Sequence, residues 1–273
     1  MDLFTSSTRS GPRRFVLLAP PHVDTPRTFS TAYRDSGEHS RLLAEAQRLR
    51  GRVYLADGAI EPWQLTPNGR HLQAADHRSF HLLSLDEADR VVACTRYLAH
   101  SNAVGFSQLG VCHTPLSEDR NSRPVLQQAV EGELARARRL GYWYVEMGGW
   151  AIAEHLRCTT EAVRMVVTIY ALARLMGGAL GISTVTKRHG SSSILRRLGG
   201  SPLASEDQEA TTYYDPHYQC EMEILRFDSD RPSDNYEGAV QRCQNVLART
   251  PVILPERSDQ VIPYAGPLVA VTA

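Results

Sequence analysis

Glu146 stands inside a strand-like stretch, Tyr142–Ile152 (YWYVEMGGWAI), that is otherwise aromatic, β-branched and apolar. A carboxylate in that setting is partly desolvated, which makes Glu146 a candidate base or water-orienting residue. The plain alternative is an ion pair with an arginine such as Arg96. Two residues on, Gly148-Gly149 would let the strand bulge and splay from its neighbour, opening a slot and freeing backbone amides. A tight packing contact explains a glycine pair equally well. Thr160–Met176 then carries apolar residues at helical spacing, Leu180–Thr186 is a short buried-type strand, and Ser191–Leu198 is a short helix closed by Gly199-Gly200. This βαβα order puts a helix N-terminus at a cleft between two strands, a natural place for a phosphate-bearing ligand.

The elements that must position this unit lie on both sides of it. Upstream, residues 38–55 are helical, with Leu42, Leu43, Ala46 and Leu49 on one face, and a polar loop spans 57–77. Phe80–Leu85 and Arg90–Ala99 alternate around an Asp86–Asp89 turn as an antiparallel hairpin, and Pro124–Leu140 is an amphipathic helix. Downstream, Tyr213–Phe227 holds two strand-like pieces and Asn235–Arg249 a terminal helix. Residues 1–37, rich in Ser, Thr, Pro and Arg around the apolar run Phe15–Ala19, read as a loosely attached arm with at most an edge strand. The expected division is an arm over 1–37, one α/β domain over 38–230, and a C-terminal helix with a Pro-rich tail (Pro251, Pro255, Pro263, Pro267) over 231–273.

Composition narrows the function classes. The 273 residues are 42% hydrophobic with zero formal net charge, enough for one substantial core and too balanced for a broad grip on nucleic acid. Lys187 is the only lysine, so nearly all cationic charge is arginine. No apolar run approaches the ~18–20 residues of a membrane helix and the N-terminus lacks a signal-type apolar core, so a soluble, cytoplasmic protein is expected. Five cysteines without a C-x-x-C pair argue against a disulfide framework and a zinc site. The histidines His71, His77 and His81 come with no glutamate motif or cysteine to complete a metal site, and none is assigned.

Over roughly residues 40–228 the order of elements resembles the GNAT-type N-acyltransferase superfamily. Within it, the chain looks closest to the branch holding acyl-homoserine-lactone (autoinducer) synthases and N-acyl amino acid synthases. The matching residues are Leu49–Tyr54 (LRGRVY), Trp63, Asp76 ahead of the first hairpin strand, Val91–Tyr97 (VVACTRY) and Glu146 before the long helix. The fold implied is α/β (α+β), a GNAT-like mixed, mostly antiparallel central sheet flanked by helices and splayed between its fourth and fifth core strands. The activity implied is transfer of a medium or long acyl chain from acyl carrier protein or acyl-coenzyme A to the amine of an amino acid or related small amine. No permanently bound cofactor is expected; the phosphopantetheine thioester is a co-substrate. An acetyl-coenzyme A-dependent acetyltransferase and a catalytically silent acyltransferase fold that binds an acyl ligand remain as alternatives.

Transfer from a thioester to an amine needs a proton acceptor, donors for the tetrahedral oxyanion, and both substrates held in line. The resemblance assigns Glu146, Gly148 and Gly149 to the first two. It makes Arg96 and Arg50 the forks for an acceptor carboxylate, Asp76 the partner of its ammonium, and Tyr54 and Trp63 walls of the pocket. Arg157, Thr159 and Thr160 occupy the family's pyrophosphate turn. Thr160 replaces a glycine there, and Leu195 stands where many relatives place a tyrosine acid, departures that favour a carrier protein as donor. Lys187, Arg188, His189, Ser191, Arg196 and Arg197 would then meet the carrier's acidic face and its phosphopantetheine. Gly149 in place of an arginine, and Gln73 in place of a second acid, put S-adenosylmethionine in doubt as the acceptor.

Overall fold

The computed structural model describes residues 13–21, 28–101, 103–203 and 212–256. The described residues begin with two short strands, β1 (Arg14–Leu18) and β2 (Ala32–Arg34), and a long helix, α1 (Ser36–Ala56). Asp35 caps α1 by accepting from the Glu38 amide at 2.8 Å, and Leu42, Ala46 and Leu49 form its buried stripe. A hairpin follows, β3 (Phe80–Leu85) and β4 (Val91–His100), then helices α2 (Pro115–Glu118) and α3 (Ser122–Leu140). Helix α3 ends on Gly141 in the left-handed region. The unit read first in the sequence is β5 (Trp143–Ile152), α4 (Glu161–Leu175), β6 (Ala179–Thr186) and α5 (Ser191–Arg197). Strands β7 (Ser201–Pro202), β8 (Thr212–Asp215) and β9 (Cys220–Asp228), helix α6 (Asp234–Leu247) and strand β10 (Val252–Leu254) complete it.

The ten strands among the described residues join one sheet in the order β2-β10-β1-β3-β4-β5-β6-β9-β7, with β8 also on β9. Parallel pairing is confined to β1/β10, β10/β2 and β5/β6 among the described residues, so the sheet is mixed and mostly antiparallel as expected. Helices α4 and α6 cover one face over a core that includes Leu82, Tyr97, Val145, Leu172 and Val240. Helices α1 and α3 cover the other, over Leu42, Leu49, Cys94, Leu126 and Ile182. Among the described residues no helix is long and apolar enough to cross a membrane.

Two expectations are corrected. The run Phe15–Ala19 is neither loose nor at an edge: β1 lies between β10 and β3, with Val16, Leu17 and Leu18 wholly buried. The start of the expected tail is the strand β10, paired with β1 on one side and β2 on the other. Strands of three to five residues carry too little periodicity to announce themselves, and β10 lies more than 200 residues from both β1 and β2. The expectations for residues 1–12 and for Pro263 and Pro267 lie outside the described residues.

Leu17→Ala should cost about 2–5 kcal/mol in urea denaturation, the range for truncating a packed core leucine. A cost within the ~0.5 kcal/mol usual at exposed positions would show that β1 does not dock.

Candidate active site

The gap in the sheet is made by β5. Strand pairing with β4 slips between Cys94 and Arg96, and Gly149 takes φ +63°, a bulge that bends β5 away from β6. The parallel pairing of β5 with β6 consequently covers only Trp143–Glu146 against Ala179–Ile182. Past that point β5 stays on β4 and β6 stays on β9, so two backbone edges face each other without a ladder. Both readings of the glycine pair hold at once. A Cβ on Gly149 would come within 3.0 Å of Arg50 Nη1 and 3.4 Å of Arg96 Cβ, so the bulge is also a close contact.

A cavity of about 170 Å³ occupies the gap. Met147, Gly148 and Trp150 of β5 face Ser183 and Val185 of β6 across it, with Met165, Ile169 and Tyr170 of α4 on one side and Val53 and Tyr54 of α1 on the other. Its wall is mostly apolar. Arg188, His189 and Ser191 line it where β6 passes into α5. Arg188 crosses there, donating to the carbonyls of Asp57 at 2.6 Å, Gln219 at 2.9 Å and Tyr218 at 3.3 Å. Asp57, which the sequence did not single out, also pairs with Arg157 at 2.8 Å and lies 3.8 Å from His189 Nε2.

Glu146 is the last β5 residue paired to β6, at the apex of the gap, but its carboxylate turns away from the cavity. Oε1 meets His100 Nε2 at 2.7 Å and Oε2 accepts from the Gly110 amide at 2.6 Å. The partner is therefore His100 and not Arg96. His100 was missed because the expected strand stopped at Ala99; one more strand residue puts it on the same face as Glu146, two positions along the register.

Arg50 and Arg96 do not present free forks. Arg50 donates to both oxygens of Asp76, at 3.1 and 2.6 Å, and to the His71 carbonyl at 2.5 Å. Arg96 donates to Gln73 Oε1 at 2.6 Å and lies 3.5 Å from Asp76. Both are at most 2% exposed, and Asp76 holds them together instead of meeting an ammonium. Burial alone would raise the Asp76 carboxyl, but Arg50, helped by His81 and Arg96, reverses this and holds it well below the carboxylate range. Burial also brings His71 and His81 down to about 4, so both rings are neutral at pH 7. Among the described residues no group of three or more His, Cys, Asp or Glu is placed to hold a metal ion.

The remaining expected residues divide. Tyr54 lines the cavity with its ring 5.6 Å from that of His71, whereas Trp63 is 74% exposed on a short turn and does not line this cavity. At the start of α4, Thr159 Oγ1 accepts from the Glu161 amide, Thr160 makes no side-chain cap, and Arg157 turns to Asp57. The first turn carries its own anion: Glu161, fully buried, pairs with Arg13 at 3.0 Å and Arg164 at 3.3 Å. His189 and Ser191 line the cavity, as does Leu195. The basic cluster is largely neutralised, with Lys187 on Glu221, Arg196 on Glu223, and Arg197 exposed.

Because its carboxyl is held low, Asp76 stabilises the fold above the unfolded value near pH ~4, and that contribution is lost as pH falls further. Asp76→Asn should cost about 3–5 kcal/mol at pH 7, since two buried guanidinium groups lose their counter-charge. The deficit should narrow below pH ~4. Urea denaturation of both proteins at pH 7 and at pH 3 measures it.

No protein-family model matches the chain, and no curated protein matches it. Among solved structures it is similar to FeeM, an N-acyl amino acid synthase from uncultured soil microbes, at 12% identity and a TM-score of 0.45, covering 80% of this chain and 92% of that one. It is similar to BjaI, a coenzyme A-dependent acyl-homoserine lactone synthase, at 11% identity and a TM-score of 0.47, covering 90% and 95%. It is also similar to LasI, an acyl-homoserine lactone synthase, at 13% identity and a TM-score of 0.45, covering 81% and 91%.

Proposed function

We propose that this chain is an N-acyltransferase moving a medium or long acyl group from a thioester to the amine of an amino acid or related small amine. The observation that carries this is the gap: two strand edges without ladder bonds, opening onto an apolar cavity that penetrates the sheet. A pantetheine arm is linear and bears amide groups, so it pairs with such edges as a strand would, while its acyl group enters the apolar space. The acceptor nitrogen attacks the thioester carbonyl, the C–N bond forms as the C–S bond breaks, the amine proton goes to a base, and the thiolate is released. Glu146 with His100, at the apex of the gap on the side turned away from the cavity, is the proposed base pair for an acceptor that approaches from that side. The amides freed by the Gly148-Gly149 bulge are the proposed oxyanion donors.

Two observations support an acyl carrier protein as the donor over coenzyme A. The α4 end that would cradle a pyrophosphate is capped by Thr159 and carries the buried Glu161 carboxylate. Leu195 also lines the cavity where acetyltransferase relatives of the resemblance place an acid. The basic cluster contributes less than its sequence suggested, because Lys187 and Arg196 are already paired. The engagement of both Glu146 oxygens favours a second reading, a binding protein without turnover.

Glu146→Gln keeps an acceptor for Gly110 but removes the charge, so turnover should fall by on the order of 10²–10⁴ with the melting curve little changed. Near-normal turnover would leave Glu146 as an anchor for the Gly110 loop and nothing more.

With one acyl chain on both donors, kcat/KM should be higher for the carrier-protein thioester, and its advantage should shrink with salt. Arg197→Glu, which disturbs no ion pair described above, should weaken carrier-protein use selectively. A salt-independent preference for the coenzyme A thioester would reverse the assignment.

A further inference from the structure

Lys187 is the only lysine among 30 basic residues, so its Nζ is the one side-chain primary amine in the chain. The guanidinium of an arginine stays protonated at any ordinary pH and does not attack a thioester, whereas a lysine amine does once it has lost its proton. That single amine stands at the rim of the cavity. Ser183, Thr184, Val185 and Thr186 line the cavity along β6, and the lining resumes immediately after Lys187 with Arg188 and His189. The backbone turns sharply there, with φ +57° at His189 and +74° at Gly190, so β6 ends and α5 begins in a tight corner. Lys187 is not locked into that corner. Its Nζ pairs with Glu221 Oε2 at 3.2 Å, and the two side chains are 43% and 63% exposed. An ion pair so open to water is weak, and the amine rides on a flexible four-carbon stem that can leave Glu221 and swing across the corner.

A pantetheine arm entering between β5 and β6 carries its thioester past this corner. We infer that Lys187 is a self-acylation site of this protein. The ammonium first gives a proton to Glu221 or to water, and the neutral Nζ attacks the carbonyl carbon of a thioester at the cavity mouth. The C–N bond forms, the C–S bond breaks, and one amine proton goes to the departing thiolate. The product is an uncharged amide, which leaves Glu221 without its cation and tethers an acyl chain beside the apolar cavity. The inference rests on the acyltransferase reading for the presence of a thioester in the gap. It adds to that reading a second amine, one belonging to the protein itself, that competes with the small acceptor.

The α-amine of the purified, untagged protein is an internal control. An α-amine ordinarily releases its proton near pH ~8 and a lysine amine near ~10.4, so at neutral pH intrinsic reactivity favours the α-amine, and only placement beside the thioester reverses the order. The full chain is incubated with the decanoyl thioester of coenzyme A, and in parallel with that of acyl carrier protein, in the presence of a mixture of the standard amino acids. Hydroxylamine then strips acyl groups from cysteine thioesters and leaves amides, and peptide mass spectrometry reads the adducts. Lys187 should be acylated about tenfold or more faster than the α-amine, the gain expected of a positioned nucleophile. In urea-unfolded protein the α-amine should lead. Lys187→Arg, which keeps a cation for Glu221, should lose this adduct and retain the one on the α-amine. Transfer to an added amino acid without preferential acylation of Lys187, or acylation of Lys187 at one rate in folded and unfolded protein, would overturn the inference and leave the acyltransferase reading standing. If the thioester is neither transferred to an amino acid nor found on Lys187, the acyltransferase reading falls and the inference falls with it.

Discussion

Asp76 is wedged between two buried guanidinium groups, and the geometry of the sheet around the gap depends on that contact. Arg50 reaches it from α1 and Arg96 from β4, so one carboxylate ties the helix to the strand. Three charges leave one net positive charge in the interior, which the Gln73 side-chain oxygen and the His71 carbonyl share. Such a cluster adds little stability over a well-packed apolar one, but it tolerates the loss of no member. What it supplies is placement. With Arg50 fixed, its guanidinium lies against Gly149, and no side chain fits there without moving one of them.

That placement propagates to the gap. The left-handed turn at Gly149 breaks the β4/β5 register, β5 bends, and its pairing with β6 ends after four residue pairs. The sheet is then two lobes joined over Trp143–Glu146 and Ala179–Ile182, with apolar side chains lining the opening between them. Helix α4 closes one side. Its N-terminal turn is satisfied from within by Thr159 and by the Arg13–Glu161–Arg164 cluster, and Arg164 also sits 4.1 Å above the Phe15 ring. Strand β1, buried except at Arg14, is thereby fastened to the start of the helix beside the cleft.

Much of this was legible in the residues. The βαβα order, the hairpin and the amphipathic helices all follow from periodicity and capping, which are local properties, and the glycine pair at 148-149 offered a bulge as one of two readings. Tyr54, read as a pocket wall, and His189 and Ser191, read as donor-binding, all line the cavity. Other readings failed where the answer lay in a distant partner. Arg50, Arg96 and Asp76 were read as three separate grips on a substrate, yet they bond to each other, because nothing local says that residues 26 and 20 positions apart will meet. Trp63 was read as a wall and is exposed; an aromatic residue in a loop has no periodicity to fix its side.

The sequence by itself therefore determined the types of the central elements and the strand that carries Glu146, and offered a bulge at Gly148-Gly149 as one of two readings, since each depends on the torsional and packing preferences of neighbouring residues. Only the tertiary structure decided that Glu146 turns to His100 and Gly110, that Asp57 and Arg188 meet beside the cavity, and that β1 and β10 lie inside the sheet. These rest on pairings between segments far apart in the chain. A charged or polar side chain carries the capacity for many partners, and burial, which removes water as a competitor, selects among them only once the chain has closed.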